Sequence, residues 1–434
     1  MGGRWVMTVP IAPELSRAEL ADRQDERLVE TVERAYENVP FYRELLDDHG
    51  VSPGDIDGID DIGKLPMTTK TAFREEYPDG LFAVADEDII RIHASSGTTG
   101  KPKVVGYTDD DLERWAAVVA RSLDAAGVEP GDTVQNAYGY GLFTGGLGLH
   151  DGIERLGATV VPMGGGNTAR QLTMLQDMES DALSCTPSYC LYLADCAEEQ
   201  GLDPRDLPLS TVIIGAEPFT DPMREEIEAA LDVTAIDIYG LSEIMGPGVA
   251  MECAAAQDGL HVWEGHFYPE IIDPDTGETL PPGETGELVL TTLTKEAQPI
   301  LRYRTGDITH LYEDDCECGR TAVRMGNVTG RTDDLLIVRG VNVYASQIEE
   351  IMVGIDDIAP HYRIDLRRED SLDTMDITVE PHERSETTPA ELRAAIDERL
   401  DDQLNVSPDS IDVVEPGTIE RTEVGKVKRV FDHR

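Results

Sequence analysis

The chain has 434 residues, of which 86 are acidic and 36 are lysine or arginine, so its formal net charge is −50. Hydrophobic residues make up 40% and the acids are dispersed, which excludes a disordered acidic polymer and predicts a globular protein adapted to high salt. A surface coated with carboxylates repels nucleic acid and anionic membranes, so we expect neither as a partner.

The length of the chain and the search for sorting signals limit its domain number and its location in the cell. A chain of this length predicts two or three domains. No stretch is apolar enough to span a bilayer, and the first residues lack a signal-peptide core, so we expect a cytoplasmic protein. Six cysteines in so long a chain do not form a disulfide scaffold. The oligomeric state is left open, with a homodimer as the alternative to a monomer.

The order of elements predicts the fold class. Helical patterns cover residues 16–38, with Ser16 as the N-cap, and residues 108–126. Short apolar runs then alternate with helical ones as far as residue 240, which indicates a parallel sheet covered by helices. Strand-like runs follow from about residue 260. We predict an α/β fold with a large domain of residues 1–332, including a β subdomain, and a small mobile α+β domain of residues 333–434.

One polar stretch, IHASSGTTGKPKVV at residues 92–105, holds two of the seven lysines in the chain. Glycines at 97 and 100 let the backbone approach a ligand, and the hydroxyls and lysines around them suit a phosphate. The spacing is not that of a standard P-loop. Taken alone, the stretch fits either a phosphate cradle or a flexible polar turn.

Other motifs in the sequence favour the interpretation of this stretch as a phosphate-binding loop. The stretch resembles the phosphate loop of the adenylate-forming superfamily of acyl-CoA synthetases, and further motifs of that superfamily follow in its order: IYGLSE at 238–243, YRTGD at 303–307, GRTDDLLIVRGVNVYASQIEE at 330–350 and GKVKRV at 425–430. The match is closest to the phenylacetate–CoA ligase family, through YGYGLFTGGLGLH at 138–150, GAEPF at 215–219 and the segments around residues 237–253 and 293–307.

The resemblance implies ATP-dependent ligation of an aromatic acid, such as phenylacetate, to coenzyme A through an acyl-adenylate, with release of AMP and pyrophosphate. ATP, Mg²⁺ and coenzyme A are the implied cofactors. The implied ligands of the β- and γ-phosphates are Ser96, Thr98, Thr99 and Lys101, with Lys103 as a weaker candidate. Ser242 is implied to bind the α-phosphate and Glu243 to hold Mg²⁺. Lys426 is implied to bridge the substrate carboxylate and the α-phosphate.

The nucleoside half of ATP has its own implied residues. Asp307 accepts hydrogen bonds from the ribose hydroxyls and Arg331 reaches the ribose or phosphate. The implied adenine contacts are Gly215, Ala216, Glu217 and Tyr239. A core position at the end of a strand remains the alternative for Tyr239. Asp333 is the implied hinge about which the small domain rotates, to present first Lys426 and then residues 339–343.

The tail of the acid is expected at residues 138–148. Tyr138, Tyr140 and Phe143 supply flat apolar surface, and Gly145 with its glycine neighbour leaves room for a ring. These glycines also suit close helix–sheet packing, and the two interpretations are compatible. A related enzyme that passes AMP or the acyl group to another acceptor, like coenzyme F390 synthetases, remains the alternative. A regulator built on an inactive ligase is disfavoured by the intact motif residues.

Four further residues predict a metal site. Cys253 and His261 are followed some 55 residues later by Cys316 and Cys318 in a Cys-x-Cys-Gly turn. Three sulfurs and an imidazole suit tetrahedral Zn²⁺, although the spacing is not a standard zinc-finger signature. We expect a structural zinc. Buried or free thiols in an acidic loop are the alternative.

Overall fold

The computed structural model describes residues 15–434 apart from 96–100, 313, 333–334, 339–340, 356, 370–371, 383–384, 386, 405 and 422–426. Five predicted site residues lie outside the described residues: Ser96, Thr98, Thr99, Asp333 and Lys426. The same holds for part of the predicted segment 339–343.

Two of the helices begin at capping boxes. Their bounds are α1 Arg17–Asn38, α2 Pro40–Asp48, α3 Lys70–Glu75, α4 Asp109–Ala125, α5 Thr144–Leu156, α6 Thr168–Asp177, α7 Pro187–Glu199, α8 Asp221–Leu231, α9 Ala345–Val353 and α10 Pro389–Leu404, with 3-10 turns at Pro53–Asp55, Ile59–Lys64, Asp86–Asp88 and Pro204–Asp206. Ser16 caps α1 in a capping box with Glu19, and Thr108 does the same for α4 with Asp111.

In the described residues the strands form one nine-stranded sheet, two four-stranded sheets and two hairpins. Their bounds are β1 Arg91–Ser95, β2 Lys103–Tyr107, β3 Thr133–Asn136, β4 Thr159–Pro162, β5 Ala182–Cys185, β6 Thr211–Gly215, β7 Thr234–Leu241, β8 Gly246–Met251, β9 Leu260–Val262, β10 Phe267–Ile272, β11 Gly286–Thr292, β12 Tyr303–Thr309, β13 Leu311–Tyr312, β14 Arg324–Met325, β15 Gly330–Arg331, β16 Leu335–Val338, β17 Val341–Tyr344, β18 Ile358–Glu369, β19 Leu372–Pro381, β20 Ser410–Val413 and β21 Val430–Asp432.

The largest sheet has the strand order β13-β14-β9-β8-β7-β6-β5-β3-β4. Strands β3 to β7 are parallel, and α5, α6, α7 and α8 connect them in turn. Their apolar residues are buried on both faces, as in β6, where Val212, Ile213 and Ile214 have no exposed surface. The predicted parallel, helix-covered sheet is therefore confirmed, and antiparallel strands β8, β9, β14 and β13 extend it.

The predicted β subdomain is an antiparallel sheet of order β10-β11-β12-β15. A further sheet, of order β20-β19-β18-β21, carries α9 and α10 and has its own core, which includes Ile348, Ile364, Ile377 and Ile396. Val353 of α9 packs into the apolar cluster of the large domain that also contains residues of α7 and α8, so the two domains are in contact. No helix in the described part of the chain is long and apolar enough to cross a membrane.

Candidate active site

The predicted phosphate loop joins two paired strands. β1 and β2 form an antiparallel hairpin in which Ser95 lies opposite Lys103. The Lys101 ammonium lies 4.8 Å from the centre of the Tyr77 ring. Lys103, the weaker candidate on the sequence, forms an ion pair with Glu243. A lysine of the hairpin is therefore paired with a carboxylate from the turn after β7.

Glu243 is a buried carboxylate with two partners on one oxygen. Its Oε1 accepts from the Lys103 ammonium and, at 3.0 Å, from the Tyr303 hydroxyl. Burial raises the pKa of Glu243, but the charge and hydrogen bond of Lys103 outweigh burial and leave the pKa below its usual value. Glu243 is thus ionised at neutral pH. An ionised carboxylate beside a phosphate loop fits Mg²⁺, which is usually held by one or two carboxylates together with substrate phosphates.

Ser242, in the turn after β7, lies beside the start of α5. Its hydroxyl is 3.1 Å from that of Thr144, the first residue of α5, and both side chains are buried. The N-cap residue of α5, Phe143, makes no side-chain cap. Since the first N–H groups of a helix have no partner within it, α5 offers donors next to Ser242. Hydroxyls and backbone donors together suit an oxyanion.

Three of the predicted nucleoside residues contact one another. The Asp307 carboxylate accepts from the Tyr239 hydroxyl at 2.5 Å and from the Arg331 guanidinium, which lies directly opposite across β12 and β15. Burial, followed by the charge of Asp307, raises the pKa of Tyr239 well above its usual value. Tyr239 therefore stays protonated and donates to the carboxylate, which is fixed before any ribose binds.

The predicted adenine segment follows β6. Gly215 ends the strand and Ala216 has a φ of +71°, a left-handed conformation uncommon for a residue with a side chain. The Glu217 carboxylate accepts from the Ser188 hydroxyl at 2.6 Å and from the backbone N–H of Val427 at 2.8 Å. Glu217 therefore joins the large domain to the segment that directly follows Lys426.

The segment predicted to bind the tail of the substrate acid, residues 138–148, has a buried part and an exposed part. Tyr138 belongs to the hydrophobic core, and its hydroxyl donates to the carbonyls of Cys185 at 2.5 Å and Gly215 at 3.1 Å. Tyr140 and Phe143 are 36% and 40% exposed. They leave an apolar surface beside the start of α5, whereas a contact between Tyr138 and the acid stays a prediction.

Glycines in this segment allow close packing. A Cβ atom on Gly145 would collide with the Phe143 ring, and one on Gly146 would lie 2.5 Å from the carbonyl oxygen of Gly139. The packing interpretation thus fits both positions. Room for a substrate ring at Gly145 stays a prediction.

Asn136, which the sequence did not single out, holds this segment in place. From the end of β3 its amide donates to the Gly146 carbonyl at 2.8 Å and to the Tyr140 hydroxyl at 3.0 Å, and its oxygen accepts from the Tyr138 N–H at 3.2 Å. A single asparagine at a strand end gave no signal in the sequence, because its partners are distributed over the next ten residues. Thr144 escaped notice for a similar reason, since the glycines around it hid the start of α5.

The predicted metal ligands come together. The ligand atoms of Cys253, His261, Cys316 and Cys318 all lie within 4.8 Å of one another. All six cysteines are among the described residues, and none of them is in a disulfide.

This fold is that of an adenylate-forming enzyme. The family model of AMP-binding enzymes matches residues 6–293, and that of the AMP-binding enzyme C-terminal domain matches residues 340–434. A phenylacetate–coenzyme A ligase of Thermus thermophilus is 50% identical, over 99% of this chain and 100% of that protein. The chain belongs to the AMP-binding enzyme family, within which it groups with the phenylacetate–CoA ligases. The prediction of an AMP-forming acid–CoA ligase that acts through an acyl-adenylate is confirmed.

Two solved structures of one enzyme report on the domain arrangement. A 2-hydroxyisobutyryl-CoA ligase in the postadenylation state superposes with a TM-score of 0.91 at 30% identity, covering 97% of this chain and 91% of that one. In the thioesterification state the TM-score is 0.72 at 31% identity, covering 96% and 91%. The arrangement of the present chain is therefore closer to the postadenylation state.

Proposed function

We propose that the acid is aromatic and phenylacetate-like. The observation that carries the proposal is the apolar surface of Tyr140 and Phe143, which lies beside the hydroxyl pair of Ser242 and Thr144. An acid whose ring rests on that surface has its carboxylate near donors suited to an α-phosphate. The name of the Thermus relative supports the same class of acid.

In this proposal the triphosphate lies along the β1–β2 hairpin. Ser96, Thr98, Thr99 and Lys101 bind the β- and γ-phosphates, and Ser242 binds the α-phosphate. Glu243 contributes one oxygen to Mg²⁺, which when bound supplies positive charge to the phosphate oxygens. Lys103 keeps Glu243 ionised and adds to the field around the phosphates. Lys103, the second lysine of residues 92–105, thus has a role in the proposed site.

Adenine lies against Gly215, Ala216 and Tyr239, and the ribose hydroxyls bind Asp307. Arg331 and Tyr239 hold the Asp307 carboxylate in a fixed orientation, so its remaining lone pairs are set for the ribose. Fixing this half of the nucleotide places the α-phosphate relative to the acid, which is the positioning that a two-substrate reaction needs.

The first half-reaction forms a bond between a carboxylate oxygen and the α-phosphorus as the bond to pyrophosphate breaks. Lys426 reduces the repulsion between the two anions. In the second half-reaction the thiolate of coenzyme A attacks the acyl carbon, and AMP leaves with the bonding electrons. The small domain, residues 333–434, turns about Asp333 between the two steps. The separate core of that domain supports such a movement.

The proposed setting is aromatic acid catabolism in a cytoplasm of high salt, where ATP and coenzyme A are supplied. The net charge of −50 and the seven lysines support the salt adaptation. The cysteine and histidine cluster is assigned no part in the ligase chemistry, because its ligand atoms come together with one another.

A substrate screen tests this function. Pyrophosphate release is measured in molar KCl with ATP, Mg²⁺ and a panel of benzoate, phenylacetate, phenylpropionate, hexanoate and 2-hydroxyisobutyrate, with and without coenzyme A. We expect phenylacetate or a close aryl acid to give the highest kcat/KM, with one thioester formed for each AMP released. A preference for aliphatic acids would contradict the aromatic assignment. AMP retained on the product would indicate an acceptor other than coenzyme A.

A further inference from the structure

Four side chains from three separate segments form one compact cluster. The Cys253 and Cys316 sulfurs are 3.6 Å apart, and the Cys318 sulfur is 3.4 Å from Nε2 of His261. Cys253, His261 and Cys316 are buried, and Cys318 is partly buried. Sulfur atoms 3.6 Å apart are well beyond the S–S bond length of about 2.05 Å, so this is not a disulfide.

These separations are those of a tetrahedral zinc site. With Zn–S bonds of about 2.3 Å and a Zn–N bond of about 2.0–2.1 Å, tetrahedral geometry places two sulfurs about 3.8 Å apart and a sulfur and nitrogen about 3.5 Å apart. The separations of 3.6 and 3.4 Å agree with these values within a few tenths of an ångström. We propose that Cys253, His261, Cys316 and Cys318 bind one Zn²⁺ ion.

The fold builds this site from distant parts of the sequence. His261 lies on β9 between two partners, opposite Met251 of β8 on one side and Arg324 of β14 on the other. Cys253 follows β8 by two residues. The neighbouring strands β8 and β9 therefore place a sulfur and an imidazole at the same end of the strand pair.

The other two ligands come from a tight turn between β13 and β14. Gly319 has a φ of +76°, and its N–H bonds to the Cys316 carbonyl at 2.9 Å, which turns the chain back on itself. The N–H of Arg320 points at the Cys318 sulfur across 3.5 Å. Exposed Asp314, Asp315 and Glu317 surround the turn with negative charge, which favours an incoming cation.

The position of the site indicates a structural ion. Four protein ligands complete the tetrahedron and leave no place for a substrate. The turn also contacts the N-terminal helix, since the Arg17 guanidinium donates to the Thr321 carbonyl at 3.1 Å and the Thr321 hydroxyl donates to the Leu15 carbonyl at 2.9 Å. The zinc fastens this turn to the sheet and, through the turn, supports the start of α1.

Metal content is the first test. Protein without an affinity tag, expressed with zinc and purified without chelator, should contain about one zinc per chain. The single variants Cys253→Ser and Cys316→Ser should each lose most of it. Cys196→Ser is the matched control, because Cys196 is a partly buried cysteine of α7 outside the cluster. Zinc-free wild-type protein, or zinc retained by the Cys253→Ser/Cys316→Ser double variant, would overturn the proposal.

If the variants fail to fold, a thiol titration of the wild-type protein tests the same site. A mercurial reagent added stepwise in the presence of a zinc indicator should release zinc in step with the loss of three thiols, and the melting temperature should fall by on the order of 10 °C. Thiols that react without any zinc release would contradict the site. The result does not depend on which acid the enzyme uses, so a failed substrate screen leaves it unaffected.

Discussion

The Glu217 carboxylate accepts a hydrogen bond from the Val427 N–H across 2.8 Å and thereby joins the end of β6 to the C-terminal segment. Its other oxygen is held by the hydroxyl and N–H of Ser188, at 2.6 and 3.3 Å. The residue predicted to line adenine therefore also holds the chain next to Lys426. This contact belongs to an arrangement closer to the postadenylation than to the thioesterification state of the related ligase.

Replacement of Glu217 tests this positioning role. Glu217→Ala should lower kcat for pyrophosphate release by about tenfold, because the segment that follows the predicted catalytic lysine loses its anchor. Thioester formation from preformed acyl-adenylate should change much less. Glu225→Ala, an exposed acid on α8, is the control. A higher KM for ATP with an unchanged kcat would mean that Glu217 only contacts adenine.

Lys426 itself is predicted to serve the first half-reaction alone. Lys426→Ala should reduce adenylation by on the order of 10²–10³-fold, because the two reacting anions lose their shared cation. Lys428→Ala is the control, since the Lys428 ammonium lies 4.9 Å from the centre of the Phe431 ring, within the small domain. Pyrophosphate exchange and thioester formation from synthetic adenylate measure the two steps. Equal loss in both would contradict this division of labour.

Sequence patterns predicted elements better than they predicted contacts. The cap at Ser16 and the periodic apolar residues of α4 fixed those helices to within one residue. The glycines at the start of α5 concealed a helix, because glycine favours no regular structure, and close packing of the helix required them.

Contacts between distant strands were harder to predict. The ion pair of Lys103 with Glu243 joins residues 140 positions apart, and no local pattern reports it. The cysteine and histidine cluster could be predicted from residue type alone, since few side chains bind zinc. The sheet order that brings the cluster together could not, because it depends on pairing between β8, β9 and β14.

The ion pair predicts a pH effect on adenylation. In Lys103→Met, Glu243 loses the charge and hydrogen bond that offset its burial, so the pKa of this carboxyl should rise and the acidic limb of the pH–rate profile for adenylation should move to higher pH. The apparent KM for Mg²⁺ should also increase, by about tenfold or more. Lys64→Met, at an exposed lysine paired with Asp61, is the control. An acidic limb that stays in place would show that Lys103 does not set this titration.

Lys295 predicts a second pH effect, on stability. It is 2% exposed, and burial lowers the pKa of its ammonium from 10.5 to about 8. Because the folded pKa is below the unfolded one, its contribution is favourable above pH 10.5 and is lost as the pH falls to about 8. Lys295→Met should therefore stabilise the protein at pH 7 by about 1–3 kcal/mol.

Urea unfolding of both proteins in molar KCl measures this effect. The gain from Lys295→Met should shrink as the pH rises from 8 towards 10. The ammonium lies 4.6 Å from the centre of the Tyr107 ring, a contact that offsets part of the burial cost. A variant less stable than the wild type at pH 7, or a difference independent of pH, would show that the ammonium is fully compensated.

The net charge of −50 predicts that folding depends on salt. The Debye length grows from about 3 Å at 1 M ionic strength to about 10 Å at 0.1 M, so carboxylates on the surface repel one another over longer distances as salt is removed. Dialysis from 2 M to 0.1 M KCl should lower the melting temperature by at least about 5 °C and reduce ligase activity. Sucrose at matched osmolality is the control, since it favours the compact state without screening charge. Equal recovery in sucrose would point to general exclusion of solute, and an unchanged melting temperature at 0.1 M KCl would remove the argument for salt adaptation.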